Sequence, residues 1–259
     1  MTEWKYNAPW FEYEERGKDW ETPWSGHKYF GYDLVRNLKP KTIVELGTAG
    51  GTSMFSFAQA VKDTSMDVKI CAVDTWEGDE HAGVYGEKVY RRVKQICDSI
   101  YPKVDIKLMR MFFDQARDTF EDGTVDLLHI DGLHTYEAVK HDFDSWLPKV
   151  SSNGVIIFHD VSENKDGFGV NRFWDELKKL YGTMEFHHSH GLGVLFLSRE
   201  SYDSMKSYEK DWNVNYLRST YQSLKSDLYE SKKRLRELDE IKASRLYVAK
   251  ERLKRVLGK

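Results

Sequence analysis

The chain has 259 residues, 31% of them charged and 40% hydrophobic, with a formal net charge of −3. That length suits one α/β domain with an appendage and is short for two large catalytic domains. The slightly negative balance gives no general attraction to nucleic acid, and no apolar run approaches the roughly 20 residues that cross a bilayer.

Cys71 and Cys97 make neither a disulfide framework nor a zinc site and suit a reducing cytoplasm, the expected location. The first ten residues mix charge with aromatics and do not read as a signal peptide. Residues 1–26 are expected to be irregular, with Trp4, Trp10, Phe11, Tyr13, Trp20 and Trp24 set among charges. They read either as an aromatic strap packed on the domain or as a substrate lid. A helix is predicted over 28–38, stopping before Pro40. The apolar strand 42–46 runs into Gly47, Gly50 and Gly51, and a helix over 52–61 follows. Strand 68–73 ends at Asp74, residues 76–85 read as a loop, and a helix covers 86–100. Next come strand 105–109, a short helix over 114–120, strand 125–130 ending at Asp131, and helix 136–147. Strand 154–158 ends at His159 and Asp160, helix 171–180 follows, and 184–188 with 193–197 form a final strand pair. Asp142 and Asp144 are expected on a solvated helix face.

Short apolar strands alternating with amphipathic helices predict an α/β, Rossmann-like, doubly wound and mostly parallel sheet over residues 27–212. Ligands of such sheets bind beyond the carboxyl ends of the strands. From 213 to 259 the chain becomes highly charged. Leu217, Tyr221, Leu224, Leu228, Leu235 and Leu238 keep a 4/3 spacing that resumes at Leu246, Ala249, Leu253 and Val256. This predicts a C-terminal coiled-coil helix joining copies into a homo-oligomer; one helix folded back on its own domain is the alternative.

The loop at 45–53 reads ELGTAGGTS. A dinucleotide fingerprint needs glycine at its first, third and sixth positions. Counted from Gly47, the third is Ala49 and the sixth Thr52, a poor match. A flat glycine ledge with one acid before it, Glu45, and one after the next strand, Asp74, instead suits S-adenosylmethionine (SAM), which has no phosphate. An ordinary βαβ turn with an incidental Asp is the bland reading. The strand tips at Asp131 and at His159-Asp160 are expected to be neighbours, about 4.8 Å apart. Asp131, His159 and Asp160 then form a plausible seat for one divalent cation, Mg²⁺ or Mn²⁺. His134, three residues past Asp131, is placed to take a proton from a hydroxyl. Trp76, His81, Tyr85 and Tyr136 are candidate substrate contacts, with a solvated loop the alternative for 76–85. His187, His188 and His190 read as a substrate-side rim.

The stretches ELGTAGGTS at 45–53, VDTWEGD at 73–79, IDGLHTY at 130–136 and VIIFHDV at 155–161 resemble the class I SAM-dependent methyltransferases. The likeness is strongest to sugar O-methyltransferases of the macrocin and mycinamicin type and related glycan-modifying enzymes. The resemblance implies a seven-stranded sheet whose last strand is antiparallel. It implies a SAM site at Glu45, Gly47, Thr48, Gly50, Gly51, Ser53, Asp74, Thr75, Met111, Phe112 and Asp131. By it Asp131 binds metal and His134 serves as base. This chain departs from the family in having His159 where an acid is usual. The function expected is O-methylation of a sugar hydroxyl in a glycan or glycosylated metabolite, with a polysaccharide-synthesis protein as a further partner for the tail. A phenol or amine acceptor, or a non-enzymatic scaffold assembled through its coil, remain as alternatives.

Overall fold

The computed structural model describes residues 7, 9–16, 22–79, 83–211, 231, 233–242 and 244. Contacts divide the chain into one unit over Met1–Leu217 and a second over Arg218–Lys259.

The first unit is built on seven strands: β1 (Thr42–Leu46), β2 (Lys69–Asp74), β3 (Asp105–Arg110), β4 (Val125–Ile130), β5 (Val150–His159), β6 (Gly182–Phe186) and β7 (Leu192–Phe196). They lie in the order β3-β2-β1-β4-β5-β7-β6, with β7 antiparallel to both neighbours and the rest parallel. Ile43, Val44, Ile70, Val73, Leu127, Leu128, Ile156 and Ile157 are fully buried, as expected of strands covered on both faces. The helices are α1 (Lys28–Leu38), α2 (Thr52–Thr64), α3 (Gly86–Ile100), α4 (Phe113–Arg117), α5 (Tyr136–Trp146), α6 (Val170–Leu177) and α7 (Arg199–Asp211). Residues 78–79 and 83–84 add a two-stranded hairpin to the segment expected to be a plain loop. Strand β5 starts four residues earlier than its apolar run, because Val150 pairs with Val125 before the register shift.

Two 3-10 turns, Glu12–Arg16 and Pro23–Gly26, belong to a segment that packs as a strap. Phe11 and Tyr13 are buried, with Tyr13 against Phe55 at 5.3 Å. Lys28, 1% exposed, bonds to Glu14 beneath the rings of Phe11 and Tyr29. Trp4 and Trp20 lie outside the described residues.

Chain order reverses between β1, which leads outward to β2 and β3, and its neighbour β4, which leads to β5. That switch point is where open α/β sheets hold ligands. In the second unit, residues 233–242 are helical, with Leu235, Leu238 and Ile241 exposed. Most of the expected coil seam lies outside the described residues. Among the described residues no helix is long and apolar enough to cross a membrane.

Candidate functional site

A cavity of about 500 Å³ opens over the carboxyl ends of β1, β2, β4 and β5, within the range of small-molecule sites. Gly47, Thr48, Gly50, Gly51, Ser53, Asp74 and Thr75 line one end. Gly47 has φ +91, and a Cβ there would stand 2.0 Å from the Asp131 carbonyl oxygen. Only glycine permits this backbone and this approach of β1 to β4. Asp74 holds the loop from below. Its Oδ2 accepts from the amides of Thr48 (3.0 Å) and Ala49 (2.8 Å), and its Oδ1 accepts from the amide of Trp76 (2.6 Å). The Tyr85 hydroxyl adds a further bond to Oδ2, at 3.2 Å. Among the described residues the hydroxyls of Thr48 and Thr52, buried on this lining, have no hydrogen-bond partner.

Four expected contacts sit elsewhere: Glu45, Trp76, Tyr136 and Met111. Glu45 is fully buried and does not line the cavity. Its Oε2 meets His129 Nδ1 at 2.9 Å, and Trp24 Nε1 donates to His129 Nε2 at 3.0 Å. Glu45 and His129 are cross-strand partners in β1 and β4, so their side chains share one face. Trp76, left-handed at φ +56, is buried, and its indole donates to the Ala49 carbonyl at 3.0 Å. It props the glycine loop from behind. Tyr136 turns outward to Glu176 and Arg172. Of the residues after β3, Phe112 reaches the lining and is 66% exposed, whereas Met111 packs on the core. Tyr85 lines the cavity; His81 lies outside the described residues.

At the other end β4 and β5 bring Asp131, His134, His159 and Asp160 together. Thr135 caps α5 by accepting from the Ala138 amide, which fixes the short turn carrying His134. The His134 carbonyl accepts from the Gly169 amide at 2.8 Å, and its ring stacks on Phe168 at 4.8 Å and 7°. His134 Nε2 lies 2.9 Å from Asp160 Oδ2 and 3.7 Å from Asp131 Oδ1. His159 Nδ1 lies 3.4 Å from Asp131 Oδ1 and 3.2 Å from Asp160 Oδ2. Among the described residues, Asp131, His134 and Asp160 bring ligand atoms within 4.8 Å of one another. His134 thus joins the two acids, while His159 stands directly beside them.

Burial opposes charge on all four groups, and their mutual attraction overrides it. Burial alone would raise Asp131, but the His159 charge and hydrogen bonds from His134 and His159 hold it well below the usual carboxylate range. Asp160 is likewise raised by burial yet lowered to about 2 by the same two imidazoles. Burial disfavours the imidazolium of His134, but Asp131 and Asp160 push its pKa up to about 9. His159 rises against burial to about 10, chiefly through the Asp131 charge. Two imidazolium and two carboxylate charges balance in the cation-free cluster.

Sequence reasoning missed part of this wall. Trp24, Thr52, Phe113, Lys165 and Phe168 also line the cavity, as does His190, which it placed only on a rim. Asp142, expected in solvent, is buried and pushed up to about 7 by that burial. It packs under Gly132, whose absent Cβ would lie 3.3 Å from its Oδ2. Asp144 is exposed and paired with Lys140.

Comparison with known proteins agrees with this fold. Residues 44–161 match the family described as a methyltransferase domain. A protein of Sinorhizobium fredii, y4gI, is 46% identical over 182 residues, 70% of this chain; the chain spans 20% of that protein's length. Among solved structures, a putative caffeoyl-CoA O-methyltransferase from Staphylococcus aureus is similar at TM-score 0.53 and 16% identity, covering 71% of this chain and 94% of that one. An O-methyltransferase from Bacillus cereus in complex with SAH gives 0.52 at 17% identity, over 69% and 82% of the two chains. These likenesses speak to the fold. Residues 44–161 thus match a methyltransferase domain, within a seven-stranded fold like that of the O-methyltransferase structures named above.

Proposed function

We propose that the chain is a SAM-dependent O-methyltransferase acting on a sugar hydroxyl of a glycan or glycosylated metabolite. One observation carries this reading: a single cavity joins a glycine loop with unpartnered hydroxyls to a cluster of acids and imidazoles. The residues present fit SAM. The Thr48 and Thr52 hydroxyls are buried without partners, a cost of about 1–3 kcal/mol each that a polar ligand end removes. The exposed Phe112 ring on the lining suits an adenine face. Asp74 suits the ribose, with Tyr85 marking where a hydroxyl donor meets its Oδ2. The sugar class rests on the four sequence stretches quoted above.

The acid end fits a divalent cation, Mg²⁺ or Mn²⁺, held by Asp131, Asp160 and His134 with His159 beside them. Mixed oxygen and imidazole donors suit such ions, and exchanging two protons for one divalent ion leaves the charge balance unchanged. A bound cation supplies the charge that makes an acceptor hydroxyl easier to ionise. The resemblance gives His134 the role of base. With its Nε2 on Asp160, the same imidazole sits in the cation seat, and this reading keeps it there. The exposed Leu235, Leu238 and Ile241 support assembly through the tail, with itself or with a glycan-synthesis partner.

The test is calorimetry with SAM, followed by incubation of the protein and labelled SAM with host glycan extracts. Label in a sugar methyl ether is the expected result. Label in a phenol or amine would replace the acceptor class, and a protein that binds no SAM would end the proposal. Truncation after Asn215 is expected to lower the mass seen by light scattering; an unchanged mass would remove the tail from assembly.

A further inference from the structure

We propose that His190, oriented by Glu163, is the general base of this site. The inference rests on the methyltransferase reading above and names the group that takes the acceptor's proton.

His190 belongs to the turn between β6 and β7. Three successive residues there are left-handed: Ser189 (φ +53), His190 (φ +67) and Gly191 (φ +90). Side-chain-bearing residues hold such backbone only where their surroundings dictate it, and such residues cluster at functional sites. Here the surroundings do dictate it. The Ser189 carbonyl accepts from His27 Nε2 and His159 Nε2, each at 3.2 Å. The His190 carbonyl accepts from the Ser162 amide at 2.9 Å. A Cβ on Gly191 would stand 2.6 Å from the Ser162 nitrogen. The turn is thereby fastened to the tip of β5, where Asp160 is also left-handed at φ +61.

This fastening places His190 on the cavity lining beside the acid cluster. Its Nδ1 lies 2.5 Å from Glu163 Oε2 and 3.6 Å from Asp160 Oδ1. Glu163 is itself held: its amide donates to the Asp160 carbonyl at 3.0 Å, and Lys165 Nζ lies 2.9 Å from Oε2. A carboxylate facing Nδ1 places the ring proton on Nδ1 and the lone pair on Nε2. Among the described residues Nε2 of His190 has no hydrogen-bond partner. A base oriented by a third group is the arrangement that proton abstraction needs. The other two imidazoles of the cavity are committed differently. His134 turns Nε2 onto Asp160. His159 spans the carboxylates with Nδ1 and Ser189 with Nε2. His190 is the one whose close acid lies outside the cation seat.

In the step, the acceptor O–H proton passes to His190 Nε2. The oxygen's electron pair forms the new bond to the methyl carbon as the methyl–sulfur bond breaks. That bond's pair stays on sulfur, leaving a neutral thioether. The imidazolium rests against Glu163 until its proton leaves to water.

The test combines structure and rate. In the full chain labelled with ¹⁵N-histidine, long-range proton–nitrogen correlation is expected to show neutral His190 protonated on Nδ1. Glu163→Gln is expected to shift it toward the Nε2-protonated form. His190→Gln is expected to keep SAH affinity within about twofold by calorimetry. With the acceptor found above, it is expected to lower kcat about 100-fold or more, the lower end of general-base contributions. If His190→Gln does not fold, Glu163→Gln carries the rate test with a loss of about 10-fold. An Nε2-protonated His190 in the native chain, or kcat within threefold of native in His190→Gln, overturns the assignment. Native protein that binds no SAH sinks the methyltransferase reading instead, whatever the histidine spectrum shows.

Discussion

Asp74 and Asp131 each follow a buried parallel strand, yet the chain treats them in opposite ways. Asp74 is surrounded by backbone amides from the glycine loop and Trp76. Asp131 faces side chains that themselves titrate, His134 and His159. The first acid shapes a loop through fixed dipoles, so its surroundings vary little with pH. The second belongs to a cluster whose charges are exchangeable. One end of the cavity is built for shape, the other for exchangeable protons.

The sharpest way to break the shape end is Gly47→Val. The added side chain meets the Asp131 carbonyl and a left-handed backbone at once, and a loss of about 4 kcal/mol in denaturant unfolding is expected. A loss under about 1 kcal/mol would show that the loop is not pinned between β1 and β4. Asp74→Ala comes next. It removes the acceptor for three amides and the proposed seat for the ribose, and SAM affinity measured by calorimetry is expected to fall about 100-fold, or roughly 2.7 kcal/mol. Unchanged affinity would move the cofactor elsewhere.

The charged end is tested by pH. His134 and His159 have folded values of about 9 and about 10, above the ~6.5 of an unfolded chain. The stability they add is complete below about pH 6.5 and is lost as pH climbs through their folded values. Asp131 and Asp160 lie below the unfolded ~3.9. Their contribution is present above about pH 4 and is lost on acidification. Cation-free protein, held in chelator, is therefore expected to draw most stability from this cluster between about pH 4 and 6.5. Asp131→Asn is expected to flatten the alkaline decline of the denaturation midpoint, and an unaltered profile would place the pH dependence in other groups. The smallest effect expected is that of Phe112→Ala. The ring is exposed, so the unfolding midpoint is expected to stay put while SAM affinity drops about fivefold, close to 1 kcal/mol. A shifted midpoint with unaltered affinity would make Phe112 structural.

The strand tips were legible because a parallel sheet writes itself as apolar runs, and the informative residues follow each run. That rule found Asp74, Asp131, His159 and Asp160. It misjudged Glu45, which lies within its strand rather than after it. Aligning the ends of β1 and β4 pairs Glu45 with His129, a signal available from the two strands alone. His190 was harder to read. Its place depends on three left-handed residues in a hairpin turn and on contacts from His27, ahead of α1, and from His159 and Ser162 at the end of β5, which no local pattern records. Asp142 was misread because its helix face looked polar, while the loop above it, thinned at Gly132, leaves it covered.

The amides gathered by Asp74 also bear on tempo. The ledge that would meet a cofactor is already bent to shape, so arrival need not wait for the loop to reorganise. Among the described residues the Tyr85 hydroxyl also sits on Asp74 Oδ2, where a guest bound to that oxygen would have to displace it. Uptake in such a pocket then exchanges one hydroxyl for another on a surface that is already formed.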